Sequence, residues 1–414
     1  MNGELILTKL QKELELEFKQ NLLPFWTEFA IDDKNGGFIG RVTSENVKVY
    51  DADKGGILNA RILWALSAAY KQYPSKKLSN VALRAYEYFN TYFMDEKYGG
   101  FFWMIDSKGE VVDPKKHIYT QAFGIYGLVE YYSAFNNHEA LKLAYNIYSL
   151  IEKHSVDSTY GGYFEAYSRE WELNEDVRLS EKDENEPKSM NTHLHILEAY
   201  TNLYRYAPSE KLKDKLASLI HYFCDYIINP ERTSLINFFG LDWSPRSKQI
   251  SYGHDIESSW LLVEAAEVIG DEHLIDVTRQ YAVSIANAVI GNGIDSDGAL
   301  INEANPKGYT DTDKDWWPQA EAIVGFLNAY EISGDIKFLE AAGNSWMFIK
   351  QHLIDRKYGE WFEKTSREGT PYSQLDKVRA WKGPYHNMRT IFEVNRRVKA
   401  LLKREPVFVE EKLG

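Results

Sequence analysis

The sequence predicts an all-α protein: an (α/α)6 barrel, a closed toroid of six helical hairpins with short β-arms in the connecting loops. Two observations carry this. An Asp followed by a Gly-aromatic turn recurs about every sixty residues, and the helical patterns between these turns alternate in kind. The turns are Asp33-Lys-Asn-Gly-Gly-Phe38, Asp95-Glu-Lys-Tyr-Gly-Gly-Phe101, Asp157-Ser-Thr-Tyr-Gly-Gly-Tyr163 and Asp355-Arg-Lys-Tyr-Gly-Glu-Trp361. A weaker copy is Asp295-Ser-Asp-Gly298, and a degenerate sixth is expected near Thr233 to Phe239. Asp caps its own backbone and Gly accepts positive φ, so both suit tight turns.

Six segments read as inner helices: Asn59 to Tyr70, Tyr119 to Phe135, Asn191 to Tyr206, His254 to Ile269, Trp316 to Ile332 and Pro384 to Val398. They are apolar almost all round, as expected of helices buried on every side. Each of the first five precedes a more charged helix such as Lys77 to Phe93, and the stretch Leu5 to Leu22 supplies the sixth outer member. An open solenoid is the alternative, but it would need polar capping repeats at both ends. No linker rich in Pro, Gly or Ser divides the chain, so residues 1–414 are expected to form a single catalytic domain.

Composition narrows the function. With 48 Lys+Arg against 61 Asp+Glu the net charge is −13, and there is no basic stripe to meet phosphates, so nucleic acid is excluded as a partner. No 18-residue apolar run exists to span a membrane. The start of the chain lacks the apolar core of a secretory signal. The single cysteine, Cys224, fits a reducing cytoplasm. These features describe a cytoplasmic protein, expected to be a monomer.

In a toroid of alternating direction the N-termini of all inner helices share one rim. The residues there are Asn59 and Arg61; His117 and Tyr119; Asn191, His193 and His195; His254, Asp255 and Glu257; Trp316, Trp317 and Glu321; Trp381, Tyr385 and His386. Polar groups at one end of apolar helices converge on a funnel, the usual form of a small-molecule site. His193 and His195 lie about 200° apart on a helix, so only one can face it. His117 reads equally as a core or a supporting residue. His254 and Glu257, at i and i+3, share a face, which suggests a histidine oriented by a carboxylate. Flat aromatics mixed with Arg, Asn and Glu suit a polyol. A His-x-His pair on a helix diverges and chelates poorly, which argues against a metal; no cofactor is expected. The acidic stretch Glu170 to Glu186 reads as a solvated loop close enough to lean over the rim.

Six strings then carry a resemblance: Gly56-Ile-Leu-Asn-Ala-Arg-Ile-Leu-Trp64, Lys116-His-Ile-Tyr-Thr-Gln-Ala-Phe-Gly124, Ser189-Met-Asn-Thr-His-Leu-His-Ile-Leu-Glu198, Ser251-Tyr-Gly-His-Asp-Ile-Glu257, Trp316-Trp-Pro-Gln-Ala-Glu321 and Trp381-Lys-Gly-Pro-Tyr-His-Asn387. From about Phe25 to Arg396 the chain resembles the cellobiose 2-epimerase group of the N-acylglucosamine 2-epimerase superfamily. The resemblance implies an (α/α)6 barrel and metal-free isomerase chemistry at C2 of the reducing-end glucose of cellobiose or lactose. It assigns His254 and His386 as the acid/base pair and His195 as the third active-site histidine. Arg61, Tyr119, Asn191, Glu257, Trp317 and Trp381 match substrate-contacting positions, and Asp183 matches a contact to the second sugar. Trp316 and Glu321 complete the expected sugar-binding set. Met388 departs from the family pattern, where glycine follows His-Asn.

The chemistry is consistent with this set. A sugar C2–H is removable only once the ring opens and the C1 carbonyl can accept charge, and histidine relays protons near neutral pH. Arg61 is a fixed positive charge for the developing oxyanion, and Glu257 is expected to orient His254. Three alternatives stand beside the epimerase: an aldose–ketose isomerase or a monosaccharide 2-epimerase on the same fold, an inverting glycoside hydrolase using carboxylates among Glu257, Glu303 and Glu321, and a sugar-binding scaffold without turnover.

Overall fold

The structure is a computed structural model that describes residues 3–231 and 233–403. Inner helices α2 (Gly56–Gln72), α4 (Ile118–Phe135), α6 (Met190–Tyr206), α8 (Tyr252–Ile269), α10 (Trp316–Ser333) and α12 (Tyr385–Lys403) each pack against the next, and α12 returns to α2, closing the ring. Outer helices α1 (Gly3–Glu17), α3 (Lys76–Phe93), α5 (His138–His154), α7 (Glu210–Tyr222), α9 (Glu272–Asn292) and α11 (Ile336–Phe348) lie outside them. Helix α1 packs on α11 and α12, so the N-terminal helix is the sixth outer member. A π-helical turn extends α1 over Phe18–Leu22, and others follow α7 and α11. Inner helices α2 and α8 begin three and two residues earlier than the apolar pattern suggests, α4 and α6 one residue earlier, α10 where expected and α12 one residue later.

Local chemistry explains both ends of each hairpin. Outer helices start on capping side chains: Ser75, Asn137, Ser209, Asp271 and Asp335 each accept a backbone N–H from the first turn. Inner helices α8 and α10 end on left-handed glycines, Gly270 and Gly334, which turn the chain within two residues. The connections at that end are therefore short. The long arms all fall at the other end, over the N-termini of the inner helices.

Five of the six arms are pinned there by an ion pair from a buried lysine to an aspartate. Asp95 caps its turn by accepting Lys97 N–H at 3.1 Å, and its other oxygen meets Lys116 Nζ at 3.0 Å, two residues before α4. Lys54 with Asp32 (2.9 Å), Lys188 with Asp157 (2.7 Å), Lys314 with Asp297 (2.5 Å) and Lys377 with Asp355 repeat the clasp. The first turn is thus headed by Asp32, not Asp33: Asp32 N–H bonds Gly37 O and Asp32 O accepts Gly36 N–H. The degenerate turn begins earlier than expected, at Asn229, whose carbonyl accepts Thr233 N–H at 2.9 Å. There the lysine position is Ile250.

A second pin comes from the fourth residue of the inner helices. Gln121 and Gln319 bind both backbone groups of Phe101 and Leu300, Asp255 accepts Leu235 N–H at 2.7 Å, and His193 Nε2 accepts Tyr163 N–H at 2.9 Å. His193 is accordingly a structural clamp. Removing one partner of a buried pair leaves an uncompensated charge, at a cost of about 3–5 kcal/mol. Lys54→Met is expected to lower unfolding free energy in urea by about that much, with Asp32→Asn/Lys54→Met recovering most of it. A single-variant loss below about 1 kcal/mol, the range of an exposed pair, would mean that the clasp carries no weight.

Candidate functional site

The inner-helix N-termini surround a cavity of about 510 Å³. Its wall includes His195, His254 and His386, together with Arg61, Tyr119, Asn191, Glu257, Trp316, Trp317 and Trp381. Residues 179–183 lean over the rim and bring Asp183, whose carboxylate accepts Ser180 N–H at 2.9 Å. His117 lies behind the wall. Its Nδ1 accepts Tyr119 N–H, so its Nε2–H donates to Val177 O at 3.1 Å and ties the overhanging loop to α4. The acidic stretch is thus a fastened lip rather than a free loop.

The three histidines are held differently. His386 Nδ1 donates to Glu321 Oε1 at 2.7 Å, and His195 Nδ1 donates to Glu198 Oε2 at 2.9 Å. In both rings Nε2 is the nitrogen left for a substrate. His254 Nδ1 meets Ser251 Oγ at 2.8 Å. Glu257 does not orient His254, contrary to the i, i+3 expectation: its Oε1 accepts from Arg389 Nη2 at 2.5 Å. Glu321, expected among the sugar contacts, is wholly buried behind His386 and forms no part of the wall. Trp317 stands between the other two histidines, its ring 4.7 Å from His254 and 5.6 Å from His386.

Arg389 joins these pieces. Its Nη2 donates to Glu321 Oε1 at 2.6 Å as well as to Glu257, and its Nη1 binds Glu198 Oε1 and the Tyr385 hydroxyl. One guanidinium therefore faces three buried carboxylates, two of which back a histidine. Trp260 Nε1–H donates to Glu321 Oε2 at 3.1 Å and completes its shell. Glu257, Glu321 and His386 offer ligand atoms within 4.8 Å of one another, the spacing of a metal set. The positive charge between the two glutamates is the guanidinium, and Glu321 is already committed to three donors, so the residues do not fit a metal.

Burial dominates the electrostatics. It pushes His254 down to about 3, aided by nearby His195. His386 falls well below the usual histidine range for the same reason, with Arg61 and Arg389 adding to it. Burial also lowers His195 despite Glu198. All three imidazoles are neutral at pH 7. Burial would raise Glu198, but Arg389 and His195 hold it at about 2. Glu257 rises to about 8 through burial and the nearby Glu321 charge, with Arg389 opposing. Arg61 is fixed across the cavity mouth, Nη1 donating to Trp381 O at 2.7 Å and Nη2 to Tyr119 Oη at 2.9 Å.

Several site residues escaped the sequence reading. Arg389, an arginine on the apolar face of α12 three residues after His386, was the readable one. Glu198, at i+3 from His195, was another. Asp315 and Arg379 also line the cavity, and Glu363 grips the Arg379 guanidinium through Nε at 2.8 Å and through Nη2. Met388 is wholly buried and does not line it.

The family model described as N-acylglucosamine 2-epimerase (GlcNAc 2-epimerase) matches residues 37–390. Cellobiose 2-epimerase of Bacteroides fragilis is 44% identical over 386 residues, 93% of this chain and 98% of that protein. Cellobiose 2-epimerase of Ruminococcus albus is 40% identical over 383 residues, 92% of this chain and 97% of that one. The solved structure of cellobiose 2-epimerase from Bacillus thermoamylovorans B4167 superposes with a TM-score of 0.90 at 39% identity, covering 94% of this chain and 100% of that one. The chain belongs to the N-acylglucosamine 2-epimerase family and is a carbohydrate epimerase, an isomerase.

Proposed function

We propose that this protein interconverts the C2 epimers of the reducing-end glucose of β-1,4-linked disaccharides, cellobiose and lactose among them. The observation that carries this reading is a set of neutral, buried histidines around one cavity, two of them presenting Nε2 while a carboxylate holds Nδ1. The relatives named cellobiose 2-epimerase support the substrate class. So does the size of the cavity, about 510 Å³ with Asp183, Asp315 and Arg379 also in its wall, which is more than a single hexose fills.

In this reading His195 helps open the sugar ring by moving the O1 proton to the ring oxygen. A neutral imidazole, His254 or His386, then takes the C2 proton, and the C–H electrons form the C1=C2 bond of an enediolate. Arg61, held by Tyr119 and the Trp381 carbonyl, faces the charge that gathers on O1. A proton returned to the opposite face of C2 gives the epimer. Glu321 stabilises the imidazolium formed at His386. Trp317 and Trp381 supply the flat faces, and Asn191, Glu257 and Trp316 the remaining sugar contacts. Every group named belongs to one chain, so the reading calls on no residue of a second subunit. No described helix is long and apolar enough to cross a membrane, and the single cysteine fits a cytoplasmic enzyme.

Incubation of cellobiose in D2O is expected to yield glucosyl-mannose carrying deuterium at C2. A ketose as the main product, or an epimer without deuterium, would overturn the reading. His386→Asn and His254→Asn are each expected to lower kcat by ~10²–10⁴-fold with the fold intact by circular dichroism; near-normal turnover in either would remove that residue from the proton-transfer step.

The pH profile follows from the signs. His254 and His386, lowered far below the usual histidine range by burial, stay neutral as pH falls through 6.5, so the proton-transfer step is expected to hold to pH 6 and below. Glu257, at about 8, ionises as pH rises past that value and opposes enediolate charge, so the rate is expected to fall there. Glu257→Gln, uncharged throughout, is expected to lose that basic limb. An unchanged limb in the variant would assign it to another group.

A further inference from the structure

The last turn along the chain, Asp355 to Trp361, departs from the repeat in a way that bears on the site. In the first three turns the residue before the final aromatic is glycine in a left-handed conformation: Gly37 (φ 61°), Gly100 (φ 78°) and Gly162 (φ 81°). A side chain has no room there, since a Cβ on Gly100 would lie 2.7 Å from Trp171, and one on Gly162 2.5 Å from Trp243. The last turn keeps the conformation but carries Glu360, at φ 63°. A non-glycine residue held in this region marks a place where the surroundings over-determine the backbone.

The Glu360 side chain is wholly buried and fully used. Its carboxylate accepts Asn387 Nδ2–H at 2.6 Å, Trp26 Nε1–H at 2.6 Å, Trp361 N–H at 3.0 Å and Lys382 Nζ at 3.4 Å. Asn387 follows His386, and Lys382 follows Trp381. Between them residues 381–384 have no helix or strand of their own. Where α4, α6, α8 and α10 are clamped by a side chain of the helix onto turn backbone, α12 is clamped by a side chain of the turn onto the helix. Trp26, just before the first turn, joins the same carboxylate, so the pin sits at the seam where the ring closes.

We infer that Glu360 is a positioning residue for His386, fixing the start of α12 and the Trp381–Pro384 segment through Asn387 and Lys382. It touches no substrate and lies outside the cavity wall. The inference rests on the epimerase reading for its kinetic arm alone.

The test uses the full chain and two variants. Glu360→Gly restores the residue of the other turns and relieves the left-handed backbone, so a role confined to the turn predicts little change. A positioning role predicts a fall in kcat of at least tenfold, with KM within threefold because Arg61, Asn191 and Trp317 remain. It also predicts at least tenfold faster hydrogen exchange in peptides covering residues 379–388 and unchanged exchange in α4. Glu360→Gln, which keeps an acceptor for Asn387, is expected to retain at least a third of wild-type kcat. A folded Glu360→Gly with kcat within twofold of wild type, or with unchanged exchange at 379–388, overturns the inference. Should Glu360→Gly not fold, Asn387→Ala cuts the same link from the other side and carries the same expectations. The exchange arm decides the matter even if wild type turns over none of the sugars, an outcome that would count against the epimerase reading instead.

Discussion

The site depends on one arginine among three carboxylates. Buried charges are tolerated only when they are paired and hydrogen-bonded. Glu198, Glu257 and Glu321 come from α6, α8 and α10, and each turns an oxygen to Arg389 of α12. That common partner lets carboxylates stand behind His195 and His386 at the base of an apolar barrel. A carboxylate behind an imidazole fixes which nitrogen carries the proton; burial and the nearby guanidinium keep the ring uncharged. The combination makes bases that are neutral at rest and have a partner ready when a proton arrives. Glu257 makes the same bond to Arg389 but also faces the cavity, and its ionisation is the one still open near pH 8.

The barrel serves this cluster by geometry. Short links on one side of the ring and long arms on the other follow from where caps and left-handed residues fall, and they place every inner-helix N-terminus under the arms. Lysine–aspartate clasps then anchor five arms, four of them through a lysine two residues before the inner helix. The departures are informative too. The arm at Asn229 lacks the clasp, and the last arm replaces a glycine by Glu360 beside the helix that bears both His386 and Arg389.

Much of this was legible in the sequence, for physical reasons. Turn chemistry is local, so Asp and Gly announced five of six arms; the slip between Asp32 and Asp33 arose because the deciding partner, Lys54, is 22 residues away. Apolar periodicity separated inner from outer helices because burial on every side leaves no polar face. The rim histidines were readable from their clustering at helix starts. Their partners were not. Spacing of i, i+3 places His254 beside Glu257 and His195 beside Glu198 alike, yet only the second pair bonds: Glu198 gives one oxygen to Arg389 and the other to His195, whereas His254 Nδ1 meets Ser251 Oγ instead. The contact of His386 with Glu321 spans 65 residues, and no local rule reaches it.

The most direct test of this account is the protonation state of the histidine rings, read by nitrogen-15 NMR with His195→Asn and His386→Asn used to assign the signals. The account predicts that at pH 7 both rings are neutral and carry their proton on Nδ1, with Nε2 bare. An imidazolium at either position at that pH, or a proton on Nε2, would contradict it.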